Sequence, residues 1–181
     1  LKGDYIVLEV RSGTLTIQGD GELLSVNYNY SAVVYGGAAN IKGGTIEVIE
    51  TRGEAANLNV SGGNMFAIFQ LQGTCTVTGG QIGSMHINEE TTCTVTGGQI
   101  GSTHVNGATF TVTGGRIEEL NLNEGIWSLA GGHIEILRAA PEGPKIITGG
   151  TFGEDPTEYL AEGYIATYNE TDNIWTVTKN N

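Results

Sequence analysis

An all-β fold, built as a single-stranded parallel β-helix with rungs of 17–18 residues, is predicted by three features of this chain. A double glycine returns at Gly62-Gly63, Gly79-Gly80, Gly97-Gly98, Gly114-Gly115, Gly131-Gly132 and Gly149-Gly150, so successive copies lie 17, 18, 17, 17 and 18 residues apart. Between these pairs apolar residues fall at every second position, which is the period of a strand. Gly supplies 29 of 181 residues, and Thr, Asn and Val are frequent where Ala and Leu are few, a balance that suits strands and tight turns. A unit this short buries no core alone, so the copies must stack on one another.

The first copy, GTLTIQGDGELLSVNYNYSAVVY (13–35), is degenerate and longer than the rest. GAANIKGGTIEVIETRGEA (37–55), ANLNVSGGNMFAIFQLQ (56–72), GTCTVTGGQIGSMHINEE (73–90), TTCTVTGGQIGSTHVNG (91–107), ATFTVTGGRIEELNLNE (108–124) and GIWSLAGGHIEILRAAPE (125–142) follow, and GPKIITGGTFGEDP (143–156) closes the series. One inward column reads Ile17, Ile41, Val60, Val77, Val95, Val112, Leu129, Ile147, and a second reads Leu15, Ala39, Leu58, Cys75, Cys93, Phe110, Trp127. A third, after the glycine corner, reads Ile46, Met65, Ile82, Ile100, Ile117, Ile134, Phe152, and Ile87, Val105 and Leu122 suggest a fourth. Each rung therefore divides into three short strands joined by corners. With paired strands about 4.8 Å apart, about eight rungs give a rod about 40 Å long.

Other short-rung solenoids fit less well. Calcium-binding rolls need Asp after GGxGx, and each of the corner double glycines here is followed by Gln, Arg, His, Thr or Asn. Left-handed hexapeptide helices repeat an aliphatic residue every six positions, whereas Val77, Ile82, Ile87 and Val95 are unevenly spaced. A compact right-handed β-helix is favoured. A phosphate-cradling glycine loop would need a helix to follow, and strand residues follow instead.

The helix is expected to occupy 1–154, with a cap at 155–181 in the same domain, since an open stack end exposes unpaired strand edges. Asp155-Pro156-Thr157-Glu158 supplies a capping Asp, Pro at the first helical position and an acidic first turn, and Gly163 supplies a stop, so a short helix is expected over 156–162. Residues 164–169 and 174–178 alternate like the strands of a hairpin around Glu170-Thr171-Asp172-Asn173, with Trp175 and Tyr164 placed to cover the last rung. The segment GGTFGEDPTEYLAEGYIA with the later IWTVT, and the internal GTLTIQGDGEL and IKGGTIEV, resemble the glycine-rich right-handed β-helix repeat proteins of bacterial cell surfaces, those of gut Firmicutes in particular, and of their phages. That resemblance implies adhesion, display or glycan contact outside the cell, and it transfers no catalytic residue.

Twenty Asp and Glu against eight Lys and Arg give a net charge of −12 with no basic cluster, which removes the electrostatic footprint of a nucleic-acid binder. No apolar run approaches the roughly 20 residues that span a bilayer, so membrane insertion is not expected. Leu1-Lys2 opens directly into strand-like sequence without a leader, as in a processed or excised chain. Two cysteines make no disulfide framework, and Cys75 and Cys93 read as small buried hydrophobes. This composition suits a secreted or cell-surface protein.

Candidate sites lie on the surface. Outward positions carry a threonine array, Thr74, Thr76, Thr78, Thr92, Thr94, Thr96, Thr109, Thr111 and Thr113, broken at Ser128 and Ala130. Threonine suits a solvent-facing sheet; the TxT spacing also fits an ice-binding plane. The insertion in the first rung brings Asn27, Tyr28, Asn29, Tyr30 and Tyr35 together, and aromatic rings with amides suit a sugar platform, while the same rings would equally cap the core. His86 and His104 occupy equivalent positions, but Asn121 and Arg138 follow them, so a polar ladder is expected in place of a metal site. Glu47, Glu118, Glu119 and Glu135 form an acidic strip with Arg116, His133 and Arg138 beside it. Polysaccharide lyases are the rival class among β-helices; they need a Lys or Arg base beside an Asp cluster, which neighbouring rungs do not pair here. The sequence thus predicts a non-catalytic structural or adhesive module without cofactor or metal, with a cell-surface glycan or host surface as partner. Carbohydrate binding by the tyrosine-rich rung is the alternative.

Overall fold

The computed structural model describes residues 2–3, 8–25, 30–139 and 146–180 and shows a parallel β-solenoid. Its strands are β1 (Lys2–Gly3), β2 (Leu8–Val10), β3 (Thr14–Ile17), β4 (Glu22–Ser25), β5 (Ala32–Val34), β6 (Gly37–Thr51), β7 (Ala56–Gln70), β8 (Gly73–Ile87), β9 (Thr91–Ala139), β10 (Ile147–Phe152), β11 (Tyr164–Asn169) and β12 (Ile174–Lys179). From β6 to the end of β9 the stack makes about six regular turns. A looser coil of β3, β4 and β5 precedes them, and β10 opens one that is not completed. The regular coils read as strands of 15 residues, and three of them fuse into the 49-residue β9, because the corners as well as the flat sides bond to the neighbouring coil.

Register follows the glycine spacing. Ile17 pairs with Ile41, Ile41 with Val60, Val60 with Val77 and Val77 with Val95, and Leu129 pairs with Ile147. All of this column from Ile41 onward is buried. The second column pairs Leu58 with Cys75 and Cys75 with Cys93, and the third pairs Met65 with Ile82 and Ile82 with Ile100. The double glycine explains the constancy of the corner. Gly98 has φ +91°, and a Cβ built there would lie 3.1 Å from the backbone of Gly79 in the coil before. Only a residue without a side chain lets the corners nest this closely.

Two inward columns join the four read from the sequence. Ile49, Ile68, Met85, Thr103 and Leu120 line one, and Ala56, Thr91 and Ala108 begin the coil in the other. The fourth column starts earlier than its apolar residues suggest: Thr51 pairs with Gln70 and Gln70 with Ile87, and both polar residues are fully buried. The Thr51 hydroxyl and the Gln70 amide nitrogen both donate to the Gln72 carbonyl.

At the C-terminal end the helix expected over 156–162 is reduced to a single 3-10 turn, Thr157–Tyr159. Two contacts shorten it. The Asp155 carboxylate accepts from the Thr157 amide and fixes a tight turn. Leu160 is already extended and bridges to Ile147, while the Ala161 amide donates to the Ile147 carbonyl, so the exposed edge of β10 captures the chain before a second helical turn forms. The hairpin does form: β11 and β12 pair antiparallel from Tyr164–Lys179 to Asn169–Ile174, and β12 adds antiparallel to β10 through Thr151–Thr176 and Phe152–Trp175. Val177 is buried, and Trp175 and Tyr164 pack against the core.

Candidate functional site

A solenoid of regular coils offers its outward residues as straight rows, one residue per coil, so each face has a readable chemistry. The strand after the glycine corner carries Thr45, Asn64, Gln81 and Gln99 in register, and Arg116, His133 and Thr151 occupy the same place in later coils. Two positions further on, Phe66 stands 64% exposed, and Gly83 and Gly101 follow it in the next two coils. A Cβ at Gly83 would lie 2.6 Å from the Phe66 carbonyl oxygen, so the backbone there presses against the coil before it and the missing side chain leaves a trough. The trough measures about 340 Å³, with Gln81 and Gln99 on one side and Arg116 and Glu118 at its far end. A second concavity of about 420 Å³ lies toward the N-terminal end, bordered by Leu24, Ser25, Glu47 and Phe66. Asn64 and Met65 border both. Sequence reasoning passed over this face, although an aromatic residue at an outward position followed by two glycines in register was its visible signal.

The nine threonines of the array all lie on one outward side, with the outer two of each triplet exposed and Thr76, Thr94 and Thr111 half-buried. Asn57 and Asn59 continue the rows toward the N-terminal end, where Thr74 donates to Asn57 and Asn59 donates to Asn40. Two of the corner-side hydroxyls reach back to the coil before: Thr78 donates to the Val60 carbonyl at 3.3 Å and Thr96 to the Val77 carbonyl at 3.5 Å. Those hydroxyls tie one coil to the next.

Asn27, Tyr28 and Asn29 lie outside the described residues. Tyr30 and Tyr35 are half-buried at the N-terminal end and share a cation: the Arg52 guanidinium sits 5.1 Å from the Tyr30 ring and 6.0 Å from the Tyr35 ring, and Arg11 sits 4.9 Å over Tyr35. Arg52 also donates to the carboxylate of Glu50, which is buried, and that bond together with the negative charge raises the guanidinium's pKa. Tyr30 meets Phe69 edge to face at 6.2 Å. These rings are packed into the end of the core and its charge pair.

Phe69, His86 and His104 stack as a ladder, with ring centroids 4.8 and 5.1 Å apart. Burial, reinforced by the neighbouring His104, lowers the His86 pKa below the ordinary 6.5. On the acidic strip, Arg138 and Asn121 hydrogen bonds hold the Glu119 pKa below its ordinary value, and His133 and Arg116 do the same for Glu135. The signs agree in direction. A base whose folded pKa is depressed contributes stability that is complete above its unfolded value and is lost as pH falls through the folded one; the two carboxylates contribute stability present above about 4.5 and lost below it. Urea midpoints are therefore expected to fall between pH 7 and 5, and to fall again under pH 4.5. His86→Phe, which extends the ladder with a ring that does not titrate, is expected to flatten the first decline. An unchanged slope in that variant would remove His86 from the account.

Cys75 and Cys93 face each other in register, both buried and reduced, and the hydrogen bond the Cys93 thiol donates to Cys75, together with burial, pushes that thiol well up. Cys93 therefore carries no reactive thiolate. Among the described residues no group of three or more His, Cys, Asp or Glu side chains converges on a common point. No described helix is long and apolar enough to cross a membrane. The chain matches no protein-family model, and no curated protein or solved structure is significantly similar to it.

Proposed function

We propose that this chain is a non-catalytic module of a bacterial or phage surface protein, acting outside the cell as a stiff adhesive rod that contacts glycan or host surface along its sides. The observation that carries this reading is the stack of coils in register along their flat sides, which fixes rows of side chains on those faces and leaves shallow troughs where a buried cleft would otherwise hold a reaction. The basic side chains that a lyase would need on the acidic strip support it too. Arg116 binds Glu135 at 2.8 Å and Arg138 binds Glu119 at 3.0 Å, so each is engaged in an ion pair on the strip. Hydroxyls of the threonine array that bond to backbone carbonyls favour a structural over an ice-binding role for that face.

Beads coated with the protein are expected to be retained on glycan-bearing cell surfaces and released after enzymatic deglycosylation, without depolymerising any polysaccharide offered. Release of unsaturated or reducing-end products, or retention indifferent to deglycosylation, would overturn this reading.

A further inference from the structure

We infer that the trough beside Phe66 is a binding site for a neutral, linear glycan lying along the rod axis, an inference that rests on the surface-module reading and names its ligand and its residues. Phe66 is the largest exposed aromatic side chain on the described flat faces, and no ring or cation covers it among the described residues. A free aromatic face offers the apolar C–H side of a pyranose a stacking partner.

Beyond it the floor is bare at Gly83 and Gly101, where a side chain would strike the preceding backbone. The row along that floor presents the amides of Asn64, Gln81 and Gln99, one per coil and exposed, with no hydrogen bond to other described residues. A side-chain amide donates and accepts at once, which is what sugar hydroxyls require. Coils repeat about every 4.8 Å, a step of the same order as one sugar unit in an extended chain, so successive amides meet successive rings. The concavity that Phe66 itself borders meets the trough at Asn64 and Met65 and extends the path toward Ser25.

Charge selects among glycans. The chain carries −12, Glu47 and Glu118 border the path at its two ends, and Arg116 beside Glu118 is already paired with Glu135 at 2.8 Å, so uronate or sulfated polymers are repelled and an uncharged backbone is admitted. A peptide strand would look for unpaired backbone groups, and here the coil edges are already bonded to one another.

The test is calorimetric titration with cello-, manno-, xylo- and chito-oligosaccharides of two to six units, alongside oligogalacturonate. At least one neutral series is expected to bind with affinity rising with length, while oligogalacturonate does not. Phe66→Ala is expected to weaken binding about ten-fold or more, Phe66→Trp to retain it, and Gln81→Ala with Gln99→Ala to weaken it further. Because Phe66 is exposed, the alanine variant keeps the unfolding midpoint of the parent. Binding indifferent to Phe66→Ala overturns the site while leaving glycan contact elsewhere intact. Silence of all the neutral series overturns the inference, and the bead-retention experiment then still decides whether the rod adheres.

Discussion

Replacing Phe110 with alanine is expected to lower unfolding stability by about 3–5 kcal/mol, the range for deleting a buried aromatic ring. Against the roughly 5–15 kcal/mol of a typical domain, that is a large share. Phe110 is fully buried, between Cys93 and Trp127 in the second inward column. A hole there cannot close by collapse, because hydrogen bonds from coil to coil hold the storeys at fixed separation. The stack is quasi-linear, so each coil is stabilised chiefly by the two beside it. The weak storey should therefore uncouple the coils before it from those after it. Urea titration read by tryptophan fluorescence, with Trp127 and Trp175 both on the C-terminal side, is expected to show an earlier transition than far-ultraviolet circular dichroism. Coincident curves at the parent midpoint would show that the ring contributes little.

Gly98→Ala is expected to cost about 3 kcal/mol or more, whereas Gly163→Ala should cost about 1 kcal/mol. Both residues have positive φ, +91° and +81°. Their surroundings differ. Nothing lies within 4 Å of a Cβ added at Gly163, while one added at Gly98 meets the Gly79 backbone at 3.1 Å. Gly163→Ala carries only the strain of the left-handed region, and Gly98→Ala adds crowding against a backbone that cannot swing aside. The difference between the two midpoints therefore isolates the nesting of corners from the conformational preference of glycine. Equal midpoints would mean that the corners have room to spare.

The coil period, its register and three of the inward columns were legible because each rests on a repeated residue type, and repetition along a stack multiplies a weak local preference. The column of Ile68, Met85 and Leu120 obeys the same alternation as Gln70, Ile87 and Leu122, yet Thr103 interrupts it, while Thr51 and Gln70 hid the start of the fourth column, of which only the later residues were read. Pattern reading assigns a side by polarity; the chain had placed fully buried Thr51, Gln70 and Thr103 against that rule. The helix expected at 156–162 failed for a different reason: its local signals were present, but the unpaired edge at Ile147 competed for Leu160 and Ala161. At Tyr30 and Tyr35, what sequence could not convey was Arg52 standing over both rings. Phe66 escaped notice because one aromatic residue makes no period; its trough exists only once coils are stacked and the glycines of two neighbours fall beside it.

Residues 74–84 and 92–102 are the same string, TCTVTGGQIGS, and they lie against each other residue for residue at both flat sides. Excising 91–107 would bring Cys75 to face Phe110 and Val77 to face Val112, neighbours that Cys93 and Val95 already tolerate. The molecule's reach is thus quantised, adjustable by whole storeys of about 4.8 Å without redesign of what lies above or below, much as a ruler is cut at its graduations.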